Sequence, residues 1–585
     1  MNSLLDILTK NKAYAEPICH LYAQYSLIES LSYSEILNQS KNYAQNLKKR
    51  LRCTNEPILI SLDTSKEFLF SFFGILISGN IPVPVSSNTL MLKNDYIELI
   101  EKIRTSCHAK FIISNMTFDF DIESIQPKDL TKESDEGMNL PSFQLDDICF
   151  IQYSSGSTRD PKGVAVSHGN ILANLAQIKE GMKVTSRDKI CSWLPLHHDM
   201  GLIGVLFASL YCRVESHLLS PLDFILSPQS WLKLISDHSI SVIVAPNAAY
   251  SACTKKIKKT SFKDLDLSNI RLALSGAEPV NHKVCQQFIE HFKDVGLKEN
   301  VIFPVYGLAE ATLAVSFNDV GIEYPRLKIN YDILTKQNKA DTEVGKSDSI
   351  EIVSCGKALD QIEIQIRQPN KLAVDCEVGE IFIKGPNIVS SYYLQETHLQ
   401  NDWLSTGDLG FLKDGLLYIV GRIKDLLIIN GKNIAANDIE AKACELSPLK
   451  LGRTVAFSHF DSHNQESAKL VAEVCLLSLK ERNKLKVEIC SHLRSILPLK
   501  PEDIFLIPPL LIKKTTSGKV KRFHIKESFL NKRVSRWEKN FIILFYRSQI
   551  LILSLKVKFF IFEKIRSLLH LKYKTKKESI YESTL

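Results

Sequence analysis

The chain has 585 residues, 45% hydrophobic and 24% charged, a composition that suits two to four folded domains and excludes a disordered or fibrous chain. Its net charge of +8 is local: residues 531–585 hold 13 Lys/Arg against 4 Asp/Glu, a balance of +9, which leaves 8 − 9 = −1 on the other 530. A neutral body with a basic tail excludes a uniformly basic nucleic-acid binder. The thirteen cysteines are scattered without any C-x-x-C pair, which suggests neither a cysteine zinc site nor a disulfide framework but reduced thiols in a cytosol.

Taken in chain order, the opening MNSLLDILTKNK carries Asp6 inside its only apolar patch and does not read as a secretory signal. Short apolar runs then recur through the first 320 residues: PILISL, KFIIS, DICFIQYSS, VIVAP and RLALSGAEP. Ser, Gly or Pro closes these runs, and helix-like segments separate several of them. The pattern predicts an α/β fold of buried parallel strands whose C-terminal ends lead into polar loops, where ligands of such folds sit. Beyond Ile352 the texture changes to IEIQIR, GEIFIKG, DGLLYIVGR and DLLIING. Alternation broken by Gly and Asp-Gly predicts hairpins and a smaller β-rich subdomain. From about Asp425 to Leu530 a further α+β pattern follows, with no internal repeat and no long Gly/Ser linker.

The loop YSSGSTRDPKGV, Tyr153 to Val164, is built for phosphate. It is not the common G-x-x-x-x-G-K-[ST] loop, because its lysine precedes its glycine and no Ser or Thr follows directly. Its hydroxyls, backbone N–H groups and Lys162 can surround a polyphosphate; taken alone, the run also reads as a Ser/Gly-rich surface turn. Six further motifs follow in order: WLPLHHDMGLIG, SGAEPV, YGLAEATLAV, STGDLG, VGRIKDLLIING and TTSGKVKR. Together, and over roughly residues 1–530, they resemble the adenylate-forming superfamily, to which acyl-CoA synthetases and nonribosomal adenylation domains belong. HHDMGL, SGAEPV and YGLAEATL look most like its fatty acyl-AMP ligases. So does the polar stretch Asn318 to Glu351, where members of that branch carry an insertion; a variable surface loop is the alternative.

The resemblance implies a large N-terminal adenylate-forming domain over residues 1–422, made of α/β sheets plus a β-rich subdomain. It implies a small mobile α+β C-terminal domain over 423–530, and leaves 531–585 as a basic hydrophobic tail. Carried over residue by residue, it places Ser154, Ser155, Gly156, Ser157, Thr158 and Lys162 around the β- and γ-phosphates of ATP. Gly276, Ala277, Glu278 and Pro279 would line the adenine slot. Tyr306 would stack on the base, with Gly307, Leu308 and Ala309 continuing the nucleotide-binding turn. Glu310 would hold Mg²⁺ against the phosphates, as suits a hard carboxylate oxygen. Asp408 would accept from the ribose hydroxyls and Arg422 would donate to the ribose or α-phosphate. His198 falls beside the reacting carboxylate, where its imidazole could orient the acyl group; a structural histidine packed by Trp193 is the alternative, and His197 is a weaker candidate. Lys519 matches the mobile catalytic lysine that bridges carboxylate and α-phosphate as negative charge crowds together, with Lys521 and Arg522 expected as solvated neighbours. Lys424 occupies the hinge position. The family usually has glycine where this chain has Arg159, so the loop trades freedom at positive φ for a fixed charge.

The function so implied is ATP-dependent activation of a fatty acid to an acyl adenylate, with pyrophosphate released. The acyl group then passes to the phosphopantetheine thiol of a separate acyl carrier protein, or of a polyketide or nonribosomal synthase carrier domain. A fatty acyl-CoA synthetase and a turnover-impaired nucleotide-binding homologue, the latter motivated by Arg159, are the alternatives. No nucleic acid is expected as a partner. In the tail, FIILFYRSQILILSLKVKFFIF (Phe541 to Phe562) is long enough for a membrane helix. Arg547, Lys556 and Lys558 each disfavour insertion by about 2.5–3.5 kcal/mol, which cancels the gain from its apolar residues. Contact with anionic lipid at the inner face of the membrane, or with an acidic partner, is the preferred reading; docking on the protein and a true span are the others.

Overall fold

Helices start where the chain offers a hydroxyl to its first free backbone N–H groups. Ser32, Ser167 and Ser478 each close a capping box ahead of helices Tyr33–Leu51, His168–Gly181 and Leu479–Leu493. The computed structural model describes residues 1–23, 26–90, 93–132, 139–153, 161–343, 349–429, 432–450, 452–460, 466–494, 496–514 and 520–553. Ser154 to Thr158, Arg159 and Lys519 therefore lie outside the described residues.

The chain divides into two compact units, one over Met1–Ala435 and one over Ala436–Lys513 and from Val520 on. By contacts, the hairpin Leu426–Ile429/Lys432–Ala435 belongs to the first unit, so this division falls downstream of Arg422 and Lys424.

The first unit is α/β, built on a nine-stranded sheet. Its centre is parallel, in the order Ile302–Gly307, Leu272–Ser275, Val242–Ala245, Lys189–Ser192, Glu215–Leu219 and Cys19–Ala23. Antiparallel strands Ala314–Phe317 and Lys357–Ala358 continue it on one side and Ser26–Leu31 on the other. A second sheet is wholly parallel: Ile81–Pro84, Pro57–Ser61, Phe111–Ser114 and Glu123–Ile125. The strands in Pro57–Ser61, Val242–Ala245 and Leu272–Ser275 are buried at every residue, which is why they read as unbroken apolar runs.

One run departs from the sequence expectation. Ile148–Tyr153 pairs antiparallel with Gly163–Ser167, so the phosphate-type loop closes a hairpin rather than leaving a parallel strand. A strand buried along its length looks the same in either setting, because pairing direction leaves no mark on such a run.

The β-rich part is a five-stranded antiparallel sheet, ordered Lys371–Leu372, Glu363–Gln368, Gly379–Lys384, Leu404–Lys413, Leu416–Arg422. Asp414 and Gly415 both take positive φ (52° and 74°) between the last two strands, the geometry a tight hairpin of this twist needs. The stretch Asn318 to Glu351 contributes strand Arg326–Asn330, paired with Ser349–Val353, and helix Tyr331–Gln337. Ile329, Leu334 and Ile352 bury against Phe411 and Tyr418 of the five-stranded sheet.

The second unit carries strands Thr454–Phe460, Glu466–Glu473 and Ile504–Ile507 with helices Ala436–Ala443, Leu479–Leu493 and Arg522–Leu530. Arg522 is not a solvated neighbour of the catalytic-lysine motif as expected. Its guanidinium donates to Glu440 Oε1 at 2.6 Å, Asn437 Oδ1 at 3.1 Å and the Ala456 carbonyl at 3.0 Å. The buried Glu440 carboxylate next to it makes the interior the favourable place for that planar fork.

The tail begins as structure. Helix Arg533–Lys539 packs in this unit, with Val534 fully buried. Glu538 pairs with Lys486 at 2.9 Å and accepts from Leu506 N at 3.0 Å, and Arg482 lies 4.5 Å over the Phe541 ring. Among the described residues no helix is long and apolar enough to cross a membrane.

Candidate functional site

The strand Ile302–Gly307 delivers Tyr306 to the centre of a polar cluster. Its hydroxyl donates to Asp408 Oδ2 at 2.8 Å, and Arg422 Nε donates to Asp408 Oδ1 at 2.7 Å. Asp408 and Arg422 are cross-strand partners in the five-stranded sheet, so pairing register, not loop geometry, sets their meeting. Tyr306 is buried, and burial beside the Asp408 carboxylate pushes its phenol well above the ordinary value. The ring expected to stack on a base is thus anchored through its hydroxyl to the carboxylate expected to hold the ribose.

Gly307 is required by space: a Cβ there would stand 1.9 Å from the Leu313 carbonyl oxygen. The turn after it is tight, with Leu308 N donating to Leu313 O at 2.9 Å and Ala309 opening a short 3₁₀ segment through Ala311. Thr312 holds φ 62° and ψ −57°, its hydroxyl donating to the Asn387 carbonyl at 2.7 Å. Glu310 Oε1 accepts from Tyr392 at 2.9 Å, and Lys162 Nζ sits 4.7 Å over the Tyr392 ring. His398 stacks on the other partner of this group, its ring 4.7 Å from Tyr392, and both its nitrogens are buried without a hydrogen-bond partner. Burial lowers the His398 pKa; Glu310 opposes the shift and Lys162 reinforces it.

Lys424 ties the two groups together. Burial lowers its pKa, Arg422 adds to that, and Asp425, Asp408 and Glu310 pull the other way. Arg422, Asp408 and Glu310 thus all act on Lys424, while Tyr306 bonds Asp408 and Lys162 lies over the Tyr392 ring that bonds Glu310.

The Gly276–Pro279 loop follows strand Leu272–Ser275. Gly276 leaves no room for a side chain beside Val305 Cγ2, 2.7 Å from where a Cβ would be, and Ala277 takes φ 67°. Asn247 organises the loop: its amide donates to the Pro279 carbonyl at 2.6 Å while its oxygen accepts from Ser275 Oγ and Asn281 N, each at 3.2 Å. Glu278 Oε1 accepts from Ala248 N at 3.0 Å.

His198 is buried at the start of a short helical turn and leads into a π-helical stretch, Leu202–Phe207, a distortion that tends to mark functional sites. Its Nδ1 lies 2.6 Å from Asp199 Oδ1. His197 is half-buried, and desolvation drives its pKa down to about 3 with His198 adding to the effect. The His197 carbonyl accepts from Gln152 Nε2 at 2.8 Å, joining this turn to the strand that enters the phosphate-type loop. Trp193 stacks on Phe224 at 4.0 Å rather than on either histidine.

Tyr392, His398 and Asn247 were not found by motif. SYYLQETH places Tyr392 and His398 in a loop and VAPNAAY places Asn247 at the start of helix Asn247–Lys256, far along the chain from the groups they touch, and no spacing rule connects them.

Residues 14–393, more than half of the chain, match the family of AMP-binding enzymes. The chain is 30% identical over 550 residues to the medium-chain-fatty-acid–[acyl-carrier-protein] ligase JamA of Moorena producens, covering 87% of this chain and 92% of that one. It is 29% identical over 535 residues to the long-chain-fatty-acid–AMP ligase FadD26 of Mycobacterium tuberculosis, covering 84% and 90%. Among solved structures, one from work on the fatty acyl-adenylate ligases of E. coli and L. pneumophila is similar, with a TM-score of 0.85, 30% identity, and coverage of 92% of this chain and 99% of that one. The site and these likenesses agree: the chain belongs to the AMP-binding enzyme family, and it is a ligase of the fatty acyl-AMP ligase kind.

Proposed function

We propose that this ligase activates a fatty acid with ATP and hands the acyl group to the phosphopantetheine thiol of a separate carrier protein. The observation that supports the reading is the Tyr306–Asp408–Arg422 network beside Lys424, with Glu310 held by Tyr392 and Lys162 over the same ring, cations and carboxylates of the kind a nucleotide needs. A fatty-acid carboxylate oxygen attacks the α-phosphorus; the bond to the bridging oxygen breaks and pyrophosphate leaves with that electron pair. The thiol then attacks the acyl carbonyl and AMP departs. Asp408, oriented by Tyr306 and Arg422, would receive the ribose hydroxyls, and Lys162 would meet the terminal phosphates with the hydroxyls of Ser154 to Thr158. Lys519 would stabilise the crowded transition state. Glu310 fits as a Mg²⁺ ligand, since one carboxylate together with phosphate oxygens is the donor set that ion takes at nucleotide sites; bound there, Mg²⁺ would offset phosphate charge. His398, unpartnered beside Glu310 and Lys162, would donate to a phosphate oxygen.

Two observations favour a carrier protein over free coenzyme A. Relatives such as JamA and TtuA are named as acyl-carrier-protein ligases. The insertion also ties down the hairpin that leads out of the first unit: Asp332 pairs with Lys432 at 2.7 Å and Asn433 donates to Asn338 Oδ1 at 3.2 Å. That restraint would hinder the rearrangement that free coenzyme A requires. The basic tail suits an acidic carrier by steering encounter. It also suits an anionic membrane surface: Ile542, Ile543, Tyr546, Ile550 and Leu553 are exposed around Arg547.

The test is pyrophosphate release across a fatty-acid series, followed by discharge of the adenylate. Release should depend on the fatty acid, and acyl adenylate should persist with free coenzyme A but be consumed by a phosphopantetheinylated carrier. Rapid acyl-CoA formation would establish the synthetase reading instead, and absence of pyrophosphate release the turnover-impaired one.

A further inference from the structure

Strands Cys19–Ala23 and Glu215–Leu219 run parallel in a register that sets His20 opposite His217. Glu215 lies two residues before His217 and so shares its face of the sheet. The His217 Nε2 is 3.2 Å from Glu215 Oε2 and the His20 Nε2 is 3.5 Å from the same oxygen. All three atoms lie within 4.8 Å of one another, a spacing that lets them share one ion at roughly 2.0–2.2 Å each. The opposite ring nitrogens are already engaged. His20 Nδ1 is 2.9 Å from Ser30 Oγ, its cross-strand neighbour, and His217 Nδ1 is 3.0 Å from the Tyr22 hydroxyl. Such partners fix ring orientation and aim the other nitrogen inward, as they do around metal-bound histidines. The two rings are stacked, 4.7 Å between centroids, and His20 Nε2 is buried without a hydrogen bond.

We propose that His20, Glu215 and His217 form a binding site for a divalent ion of the zinc class, structural in role and separate from the nucleotide site. Two histidines and a carboxylate are a donor set such an ion favours. With Glu215 36% exposed and His20 15% exposed, an ion can enter from solvent. The place in the fold argues for a structural role. Lys189 and Glu215 open their parallel strands, whereas Gly276 and Gly307 of the nucleotide site stand at the far ends of theirs. An ion at this edge would clamp the Cys19–Ala23 strand to the sheet. Lys189 Nζ, 3.1 Å from Glu215 Oε2, is the competing cation, and it is exposed enough to swing away.

The test uses the full-length protein, stripped with a chelator and titrated with Zn²⁺ by calorimetry and with Co²⁺ by visible absorption. We expect one saturable site, d–d bands of a low-coordinate Co²⁺ ion, and a raised Tm with Zn²⁺. Glu215→Gln and His20→Gln should each weaken binding at least tenfold without changing adenylate formation, and Lys189→Gln should tighten it. No saturable uptake by the unmodified protein would overturn the proposal. So would uptake that survives both Glu215→Gln and His20→Gln, which would locate the ion elsewhere, for instance at the exposed Cys475.

Discussion

Tyr392 does two jobs with one side chain: its hydroxyl donates to Glu310 and its ring face lies under Lys162. A hydrogen bond to a carboxylate is worth about 1.5–3 kcal/mol, and a cation over an aromatic face about 0.5–2 kcal/mol. The two contributions can be separated. Tyr392→Phe keeps the ring and loses the hydroxyl, so kcat/KM for ATP should fall about tenfold or somewhat more. Tyr392→Ala also removes the platform for Lys162 and should cost about a further fivefold. Steady-state kinetics with ATP as the varied substrate measures both. Equal activity of the phenylalanine variant and the unmodified enzyme would remove Tyr392 from the site. The same residue shows why motifs fall short. Asp408 and Arg422 sit in STGDLG and VGRIKD, so they could be singled out together before any fold was known, and the structure pairs them. Tyr392 and His398 act through a stack and a single contact, neither of which leaves a pattern along the chain.

At the scale of elements, the parallel sheet is locked at its strand entries by Asp188. Its carboxylate accepts from Arg271 Nε at 2.7 Å and Nη2 at 2.8 Å, from Ser241 Oγ at 2.7 Å and from Thr185 N at 2.8 Å. These residues precede three neighbouring strands, Lys189–Ser192, Leu272–Ser275 and Val242–Ala245. Burial alone would raise the Asp188 pKa, but the hydrogen bonds from Arg271, Ser241 and Thr185 outweigh it and lower the value from 3.8 to about 2. A folded pKa below the unfolded one means a contribution fully present above about pH 4 and lost as pH falls toward about 2; its size is about 2 kcal/mol. Asp188→Asn should therefore lower stability by about that amount at pH 7 and flatten the acid limb between pH 4 and 2. Urea unfolding at several pH values reads both, and an unchanged midpoint at pH 7 would refute the clip. Elements of this kind were legible in part. The buried strands announced themselves as apolar runs, and Asp414-Gly415 announced its hairpin. The antiparallel pairing of Ile148–Tyr153 and the meeting of Asp188 with Arg271 depend on tertiary register, which hydrophobic pattern does not encode.

For the whole molecule, the tail is two things joined end to end, and truncation should separate them. Up to Phe541 it is part of the second unit: Val534 and Phe541 are buried, and Glu538 is held by Lys486 and by the Leu506 backbone. From Ile542 on, Ile542, Ile543, Tyr546, Ile550, Leu551 and Leu553 are exposed while Leu544, Phe545 and Ile552 are half-buried, and the sequence beyond is rich in lysine. Removing residues 531–585 takes away packed side chains and should destabilise the second unit by about 3 kcal/mol or more, the scale of emptying large core positions. Removing only residues 542–585 keeps those contacts and loses the Phe541–Phe545 stack, so the second unit should lose far less stability, with adenylate formation intact. The two truncations should nonetheless behave alike on anionic vesicles. Each basic residue near such a surface contributes about 1 kcal/mol, and both deletions remove the same lysine-rich segment. Flotation with vesicles of anionic and of neutral lipid, at low and high salt, measures this. Binding by the full chain should be selective for anionic lipid and fall with salt. If the 542–585 truncation binds as well as the full chain, the outward-facing helix is not a membrane contact. If it loses second-unit stability to the same extent as the longer deletion, the division of the tail at Phe541 is wrong.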